Sequence, residues 1–312
     1  MYIFDAHIDT LSRLLIKNED LAGSGGHVDL ERLRKGKIGA QFFAAFIHPH
    51  SYHGQALHSA LEMIDVFWQT LDKYPEVLGF AGSGQDFVEL EAQGKIACLL
   101  AVEGGEALEG KLAQLRNLYR LGVRLITLTW NHRNALASGQ LEGDAGGGLS
   151  LFGRQVVEEM NRLKMLIDVS HLNDPGFWDV LELSKAPVIA SHSNVRALCS
   201  HPRNLTDQQI KSLAERGGVI GVNFCPAFLV SFGDADLENV VEHIAHLVQV
   251  GGEDCVGLGS DFDGISSTPN GLSDCSQTQL LAGRLKQKGY GPSVIEKIMG
   301  RNLLRICRDV LD

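Results

Sequence analysis

Residues 96–105 read Ile96-Ala97-Cys98-Leu99-Leu100-Ala101-Val102-Glu103-Gly104-Gly105, and the fold prediction starts from this segment. Its seven consecutive apolar residues predict a strand that is buried on both faces, as in a parallel sheet covered by helices. Glu103 follows the apolar run directly, so an acidic side chain would lie at the carboxyl end of a buried strand. The same succession of an apolar run and a polar side chain recurs along the chain.

Eight such runs are separated by longer segments with helical periodicity. The predicted strands are Tyr2–Phe4, Gly39–Ile47, Ile96–Val102, Val123–Thr129, Met165–Val169, Pro187–Ala190, Gly218–Phe224 and Cys255–Ser260. Amphipathic helices are predicted over residues 56–73, 149–163, 206–215 and 237–250, with a capping box between Thr206 and Gln209. The segment from Ser273 to Val310 predicts further helices after the eighth strand.

This alternation predicts an α/β protein, a (β/α)₈ TIM barrel with additional C-terminal helices, in which residues 1–312 form a single domain. A doubly wound open sheet is the alternative, although no glycine-rich dinucleotide fingerprint follows the first strand. The glycine-rich segment 138–148 lacks the Lys-Ser/Thr ending of a phosphate-binding loop. We interpret it as a flexible segment at the rim of the barrel.

Composition argues against several classes of function. The 28 basic and 38 acidic residues give a net charge of −10, whereas phosphate binding by a nucleic-acid partner requires a basic face. No apolar run approaches the roughly 18 residues of a spanning helix, and no signal peptide or lipid-anchor tail is recognisable, so we expect a cytoplasmic protein without membrane attachment. The six cysteines include no C-x-x-C pair, and we expect free thiols.

Polar side chains follow most of the predicted strands, and in a barrel these strand ends converge at one mouth. The segments concerned are His7-Ile8-Asp9, Glu103-Gly104-Gly105, Asn131-His132-Arg133-Asn134, Asp168-Val169-Ser170-His171, Ser191-His192-Ser193 and Ser260-Asp261-Phe262-Asp263. Residues far apart in sequence would therefore share one pocket.

These residue types point to a metal centre. His7 and Asp9 are two residues apart and would lie on the same side of an extended backbone. Glu103 could bridge two ions, and His171 and His192 could complete a second set of ligands. Imidazole and carboxylate ligands without thiolate suit Zn²⁺, with Mn²⁺, Co²⁺ and Fe²⁺ as alternatives.

The remaining histidines are interpreted without a catalytic role. His48, His50, His53 and His58 form a loose cluster that we interpret as a solvated loop. His243 and His246 are three residues apart on a predicted helix, and we interpret them as part of an exposed face.

Over nearly its whole length the chain resembles the membrane dipeptidase (renal dipeptidase) family of metal-dependent barrel hydrolases. The motifs that carry the resemblance are Asp5-Ala6-His7-Ile8-Asp9, Val102-Glu103-Gly104, Asp168-Val169-Ser170-His171, Ser191-His192-Ser193, Arg203-Asn204, Gly221-Val222-Asn223-Phe224 and Gly257-Leu258-Gly259-Ser260-Asp261-Phe262-Asp263-Gly264. The resemblance implies that one zinc ion is bound by His7 and Asp9, that a second is bound by His171 and His192, and that Glu103 bridges the two ions.

The resemblance also assigns the catalytic and substrate-binding residues. Arg203 would pair with the terminal carboxylate of the substrate, for which a guanidinium fork is suited. Asp261 would be the catalytic acid/base and contact the substrate, with Asp263 as a reserve candidate of structural role. Family members with a membrane anchor carry a histidine directly after the Leu-Thr of the fourth strand, where this chain has Trp130, so His132 is the candidate for binding the reacting carbonyl.

The resemblance therefore implies a zinc-dependent dipeptidase with two Zn²⁺ per chain, which hydrolyses dipeptides, including L,D-dipeptides, through a metal-bridging hydroxide. Two alternatives stay open: a binuclear-metal amidohydrolase acting on lactams or cyclic amides, and a non-catalytic ligand-binding barrel. A small dipeptide is the expected partner, and a homodimer is the default assembly.

Overall fold

A computed structural model describes residues 1–49 and 54–312, and its described strands form one sheet that closes on itself. The strands are β1 (Ile3–Ile8), β2 (Ile38–Phe46), β3 (Leu78–Phe80), β4 (Ile96–Glu103), β5 (Val123–Thr127), β6 (Leu166–Asp168), β7 (Ile189–Ala190), β8 (Val219–Val222) and β9 (Val256–Leu258). Parallel pairing runs β1-β2-β4-β5-β6-β7-β8-β9 and returns from β9 to β1. This closed ring confirms the predicted (β/α)₈ barrel and excludes the open sheet. That residues 1–312 form a single domain stays a prediction, which the one closed sheet supports.

The strand that the sequence did not predict is β3. It pairs with Ile96–Cys98 of β4, ahead of the part of β4 that pairs with β5, and so lies outside the ring. Its three residues, Leu78-Gly79-Phe80, are too few to show a period, and a central glycine weakens the strand signal. The eight predicted runs correspond to the eight barrel strands, with ends displaced by a few residues.

Helices and helical turns surround the barrel. The α-helices are α1 (Thr10–Lys17), α2 (Leu30–Lys35), α3 (Ala56–Lys73), α4 (Gly84–Ala92), α5 (Leu112–Arg120), α6 (Leu151–Leu163), α7 (Asp174–Leu183), α8 (Asp207–Glu215), α9 (Pro226–Leu229), α10 (Leu237–Gly251), α11 (Leu280–Gln287), α12 (Pro292–Glu296) and α13 (Asn302–Leu311). The capping box at α8 is confirmed, since Gln209 N donates to Thr206 Oγ1 at 3.3 Å and Thr206 N donates to Gln209 Oε1 at 2.8 Å.

Small and large side chains alternate in the barrel interior. Phe4 and Phe42 stack with ring centroids 5.7 Å apart, in a cluster whose other barrel members include Ala97, Leu99 and Ala101. Helix α13 packs its apolar face against this cluster. The interior is therefore filled at the end of the barrel where the strands begin, which leaves the opposite end for polar side chains.

Two features of the strands direct polar side chains to that opposite end. Glu103 has the same parity in β4 as Ala97, Leu99 and Ala101, so it continues their inward-facing row. In β1 the register is irregular between Asp5 and Ile8, and such irregularities re-aim side chains.

The structure corrects one prediction outside the site. His243 is 1% exposed rather than on an exposed face, because its Nδ1 accepts from Val195 N at 3.1 Å and its Nε2 donates to the Leu229 carbonyl at 3.0 Å. His246 binds Asp207 at 2.8 Å at the helix surface. His50 and His53 lie outside the described residues.

Two expectations from composition can be compared with the structure. All six cysteines are free, and all but Cys225 are buried. Among the described residues, no helix is both long enough and apolar enough to cross a membrane.

Candidate metal centre and substrate cavity

The five predicted ligands converge at the mouth of the barrel, and we call them the metal centre: His7, Asp9, Glu103, His171 and His192. Each is at most 8% exposed. Glu103 Oε2 lies 3.5 Å from His7 Nε2, which lies 3.3 Å from Asp9 Oδ2. Glu103 Oε1 lies 2.9 Å from His171 Nε2 and 3.5 Å from His192 Nε2. The two oxygens of one carboxylate thus face two different sets of side chains, which is the geometry of a bridging ligand.

A second layer of polar groups orients His192. Asp168 is fully buried and its Oδ2 accepts from the hydroxyls of Thr127 and Ser191, each at 2.6 Å. Its Oδ1 accepts from the backbone N–H groups of Ser170 and Ser191 at 2.9 Å. Because the Ser191 hydroxyl gives its hydrogen to Asp168, it must accept the bond from His192 Nδ1 at 2.7 Å.

The protonation of these rings fits a metal ion. A hydrogen on His192 Nδ1 leaves Nε2 with a bare lone pair, which points at His171 Nε2 at a distance of 2.9 Å. His171 Nδ1 lies 2.8 Å from Asn131 Oδ1, the usual second partner of a metal-binding imidazole. Lone pairs that face each other, with carboxylate oxygens beside them, repel each other unless a proton or a metal cation is shared by them. The donor set therefore suits zinc.

Unpartnered buried atoms point to the same conclusion. His7 Nδ1, His7 Nε2 and Asp9 Oδ1 have no hydrogen-bond partner in the described part of the chain. Donor atoms of His7, Glu103 and His192 lie within 4.8 Å of one another, and so do those of His7, Asp9 and Asp261. Buried polar atoms rarely stay unpaired, so this cluster is built to receive ions.

The electrostatics of the centre follow from burial and from its carboxylates. Burial lowers the pKa of His171 to about 4, with Arg203 adding to the effect, and burial together with His7 lowers the pKa of His192. Burial alone would lower the pKa of His7, but Glu103 and Asp9 raise it well above its ordinary value. Two imidazoles are therefore neutral and ready to bind at neutral pH, and a cation would replace the proton of the third.

Asp261 lies beside the centre. Its Oδ2 accepts from Asn223 Nδ2 at 2.9 Å, which fixes the carboxyl group. Burial raises its pKa to about 7, and a nearby cation would lower it again. The backbone at Asp261 and at His171 is left-handed, with φ of 64° and 69°. Non-glycine residues hold this conformation at a cost of order 1–3 kcal/mol, usually at functional sites.

A cavity of about 540 Å³ opens above the metal centre. It is lined by Asp9, Ser12, Phe46, Glu103, Trp130, Asn131, Gln140, His171, His201, Arg203, Cys225, Phe228, Asp261, Asp263, Gly264, Ile265 and Ser266. Gly264 is required at this wall, because a Cβ there would lie 2.1 Å from Asp9 Oδ2. The volume suits a ligand of a few tens of heavy atoms or fewer.

Arg203 is the buried cation of this cavity. It is 4% exposed, its Nη2 donates to the His192 carbonyl at 3.1 Å, and its Nε has no partner in the described structure. Among the described residues it forms no salt bridge with Asp or Glu. A buried guanidinium without an anion is costly, so the arrangement calls for a ligand carboxylate.

Asp263 has a structural position. Its Oδ2 accepts from Thr10 Oγ1 at 2.7 Å, and its Oδ1 accepts from the backbone N–H of His27 at 2.6 Å. His27 Nδ1 in turn accepts from Asp263 N at 2.9 Å. Both oxygens are occupied by groups of the chain itself, which supports the structural role expected for this residue, and that role stays a prediction.

His132 lies away from the cavity. It is exposed, and its ring centroid is 6.1 Å from that of Trp130, which lines the cavity with Phe46 and Asn131. The role predicted for His132 at the reacting carbonyl stays a prediction, and no contact with the cavity supports it.

Sequence reasoning did not assign the groups that orient the centre, which are Asp168, Ser191, Asn131 and Asn223. Three of the four stand in the strand-end segments that the sequence singled out. The segment 138–148, expected to be a flexible rim, is tied down because Asn173 Nδ2 donates to the carbonyls of Gly143 and Gly147 at 2.7 and 2.8 Å. It brings Gln140 to the cavity wall.

Comparisons with known proteins identify the family that the chain resembles. The family model described as membrane dipeptidase (peptidase family M19) matches residues 1–312. Dipeptidase verJ from Clonostachys rogersoniana is 37% identical over an alignment of 298 positions that covers 91% of this chain and 76% of that protein.

Two solved structures superpose closely. The crystal structure of dipeptidase AC, a metallo peptidase of family M19, gives a TM-score of 0.94 at 31% identity and covers 100% of this chain and 99% of its own. A metallo peptidase from Rhodobacter sphaeroides, liganded with a phosphinate mimic of the dipeptide L-Ala-D-Ala, gives 0.93 at 30% identity and covers 99% of both chains.

Replacing Asp168 by asparagine is expected to weaken zinc binding about 10- to 100-fold, because an amide cannot accept all four hydrogen bonds that hold Ser191 and, through it, the His192 ring. Competition with a chromophoric chelator measures the affinity. The exposed Asp234→Asn variant is the control and should bind zinc like the unaltered protein. Equal affinity in both variants would show that Asp168 does not support the metal centre.

Proposed function

The chain belongs to the membrane dipeptidase family (peptidase family M19) and is a metallodipeptidase, and we propose that it hydrolyses dipeptides with two zinc ions held by the metal centre. The observation that carries the proposal is the placement of Glu103, whose two oxygens face His7 at 3.5 Å and His171 at 2.9 Å. One buried carboxylate between two sets of nitrogen and oxygen donors is what a two-ion site requires.

The bound ions would supply Lewis-acid polarisation of the scissile carbonyl and lower the pKa of water. The chain's own contribution begins with Asp261, which we propose as the group that takes a proton from the attacking water and delivers it to the leaving amine. It lies within 4.8 Å of donor atoms of His7 and Asp9, and Asn223 holds it in place. The phenyl ring of Phe46 and the indole of Trp130, 5.4 Å apart, form an apolar wall that limits access of water.

Arg203 accounts for the restriction to short substrates. Burial lowers the pKa of its guanidinium, although Asp261, Glu103 and Asp168 are near enough to raise it in part. We propose that this buried guanidinium binds the free carboxylate one residue beyond the scissile bond, because it lines the cavity and forms no salt bridge with a carboxylate of the described residues. A longer peptide would present a neutral amide at this position and leave the buried charge uncompensated.

We further propose that a D-residue is accepted on the C-terminal side of the scissile bond. The support is the Rhodobacter sphaeroides relative, which is liganded with a mimic of L-Ala-D-Ala and shares the fold over 99% of this chain.

Metal analysis with a substrate panel tests the proposed function. We expect about two zinc ions per chain, hydrolysis of L-Ala-L-Ala and L-Ala-D-Ala but not of tri-alanine, loss of turnover on chelation and recovery with zinc. Turnover that persists after complete removal of metal would contradict the metal requirement. Zinc-loaded protein that cleaves no dipeptide but opens lactams or cyclic amides would replace the proposed substrate class.

Replacing Arg203 by methionine is expected to lower kcat/KM for L-Ala-L-Ala by about 100-fold or more, mainly through KM, because a buried carboxylate loses its charged partner at about 2–5 kcal/mol. Arg203→Lys, which keeps the charge but not the fork, should retain intermediate activity. Steady-state kinetics at saturating zinc provide the measurement. Unchanged KM in the methionine variant would remove Arg203 from the substrate site.

Replacing His132 by alanine tests the role predicted from the sequence. Because the residue is exposed and does not line the cavity, we expect kcat for L-Ala-L-Ala to change less than about threefold. Loss of 100-fold or more, the size of effect seen when a hydrogen-bond donor to an oxyanion is removed, would instead establish His132 at the reacting carbonyl.

A further inference from the structure

Gln140 brings an unpartnered acceptor to the cavity wall. The residue is 8% exposed and lines the cavity, and its backbone N–H donates to the carbonyl of the metal-centre residue His171 at 2.8 Å. Its side-chain Oε1 is buried and has no hydrogen-bond partner in residues 1–49 and 54–312. A buried acceptor left unsatisfied costs about 1–3 kcal/mol, so a native protein rarely keeps one unless a ligand uses it.

The metal centre fixes which atom of the Gln140 amide is free. With a metal ion bound at Nε2, the hydrogen of His171 is on Nδ1, which donates to Asn131 Oδ1 at 2.8 Å. The same Asn131 oxygen lies 3.2 Å from Gln140 Nε2, which must therefore be the donor of that contact. Both amides are thus held in one orientation, and Gln140 offers an oxygen rather than an NH₂ group to a ligand.

The chemistry of a dipeptide leaves one donor for this oxygen. Arg203 would bind the carboxylate of the substrate, and the scissile nitrogen must face Asp261, from which it receives its proton. Arg203 and Asn223 both donate to the His192 carbonyl, at 3.1 and 3.5 Å, so the groups that bind the carboxylate and hold Asp261 lie beside His192. Gln140 is instead tied to His171. The remaining donor of the substrate is the α-amine of its N-terminal residue.

We propose that Gln140 Oε1 binds the α-ammonium group of the substrate, and this inference rests on the proposed dipeptidase function. Ammonium donors form strong hydrogen bonds, and the neutral amide oxygen recognises the ammonium without adding another negative charge beside the metal ligands. The apolar wall of Phe46 and Trp130 adjoins this position, since the Trp130 ring lies 6.3 Å from the His171 ring. Limited water there strengthens the bond.

The test compares two ligands that differ in the amine alone. The probes are a phosphinate mimic of L-Ala-D-Ala and the same compound with hydrogen in place of the amine, titrated calorimetrically into zinc-loaded protein. In Gln140→Met we expect binding of the amine-bearing mimic to weaken about 10- to 100-fold, the loss of one hydrogen bond to a charged group. Binding of the amine-free compound should change less than about twofold.

Zinc affinity separates recognition from mere positioning. Gln140→Met should bind zinc as tightly as the unaltered protein, as should the exposed control Gln155→Met, and Gln140→Leu should reproduce the selective loss without the weakly accepting sulfur. Equal weakening of both ligands, with weaker zinc binding, would show that Gln140 acts only through Asn131 and His171 and would overturn the proposal. Unchanged affinity for both ligands would overturn it as well. Failure of both compounds to bind the unaltered zinc protein would contradict the proposed function itself.

Discussion

A single buried carboxylate organises the mouth of this barrel. Glu103 ends β4 in the inward-facing row of Ala97, Leu99 and Ala101, so the pleat of the strand delivers its charge to the axis of the barrel. Removing a carboxylate from water costs several kcal/mol unless cations compensate. The groups that could compensate are imidazoles from three other strand ends, and burial together with neighbouring charges keeps two of them neutral. The third imidazole, His7, has a pKa raised by Glu103 and Asp9, and bound metal ions would replace its proton and supply the positive charge that Glu103 requires.

The surrounding residues serve this requirement in different ways. Asp168 and Asn131 accept hydrogen bonds that fix the imidazole orientations, and the left-handed backbone at His171 and Asp261 places both side chains where extended backbone would not. Gly264 keeps the wall open, because any side chain there would strike Asp9. Arg203 is buried and forms no salt bridge with a carboxylate of the described residues, so the cavity has one cationic end that can bind a substrate carboxylate. The metal centre and Arg203 thus contain polar atoms that lack a hydrogen-bond partner in the described part of the chain until metal ions and substrate bind.

The barrel and the metal-centre residues could be predicted from the sequence for two reasons. Barrel strands that are buried on both faces appear as continuous apolar runs, and the strand ends of a barrel meet at one mouth. The positions of His7, Asp9 and Glu103 at the ends of those runs therefore predicted that their side chains share one pocket. The features that were not predicted correctly depend on contacts that have no signal in the local sequence. Nothing in a helical period shows that His243 is covered by the segments at Val195 and Leu229, and β3 is too short to be periodic. The contact of Gln140 with Asn131 joins the glycine-rich segment 138–148 to a residue that precedes it, and it depends on the hydrogen bonds by which Asn173 holds that segment in place.

The location of the metal ions tests directly whether Glu103 bridges two of them. Crystals of the zinc-loaded protein, measured on both sides of the zinc absorption edge, give anomalous difference maps that identify zinc and its position. We predict two peaks about 3.5–4 Å apart, with one oxygen of Glu103 at each, His7 and Asp9 at the first and His171 and His192 at the second. A single peak, or two peaks that Glu103 does not bridge, would contradict this prediction.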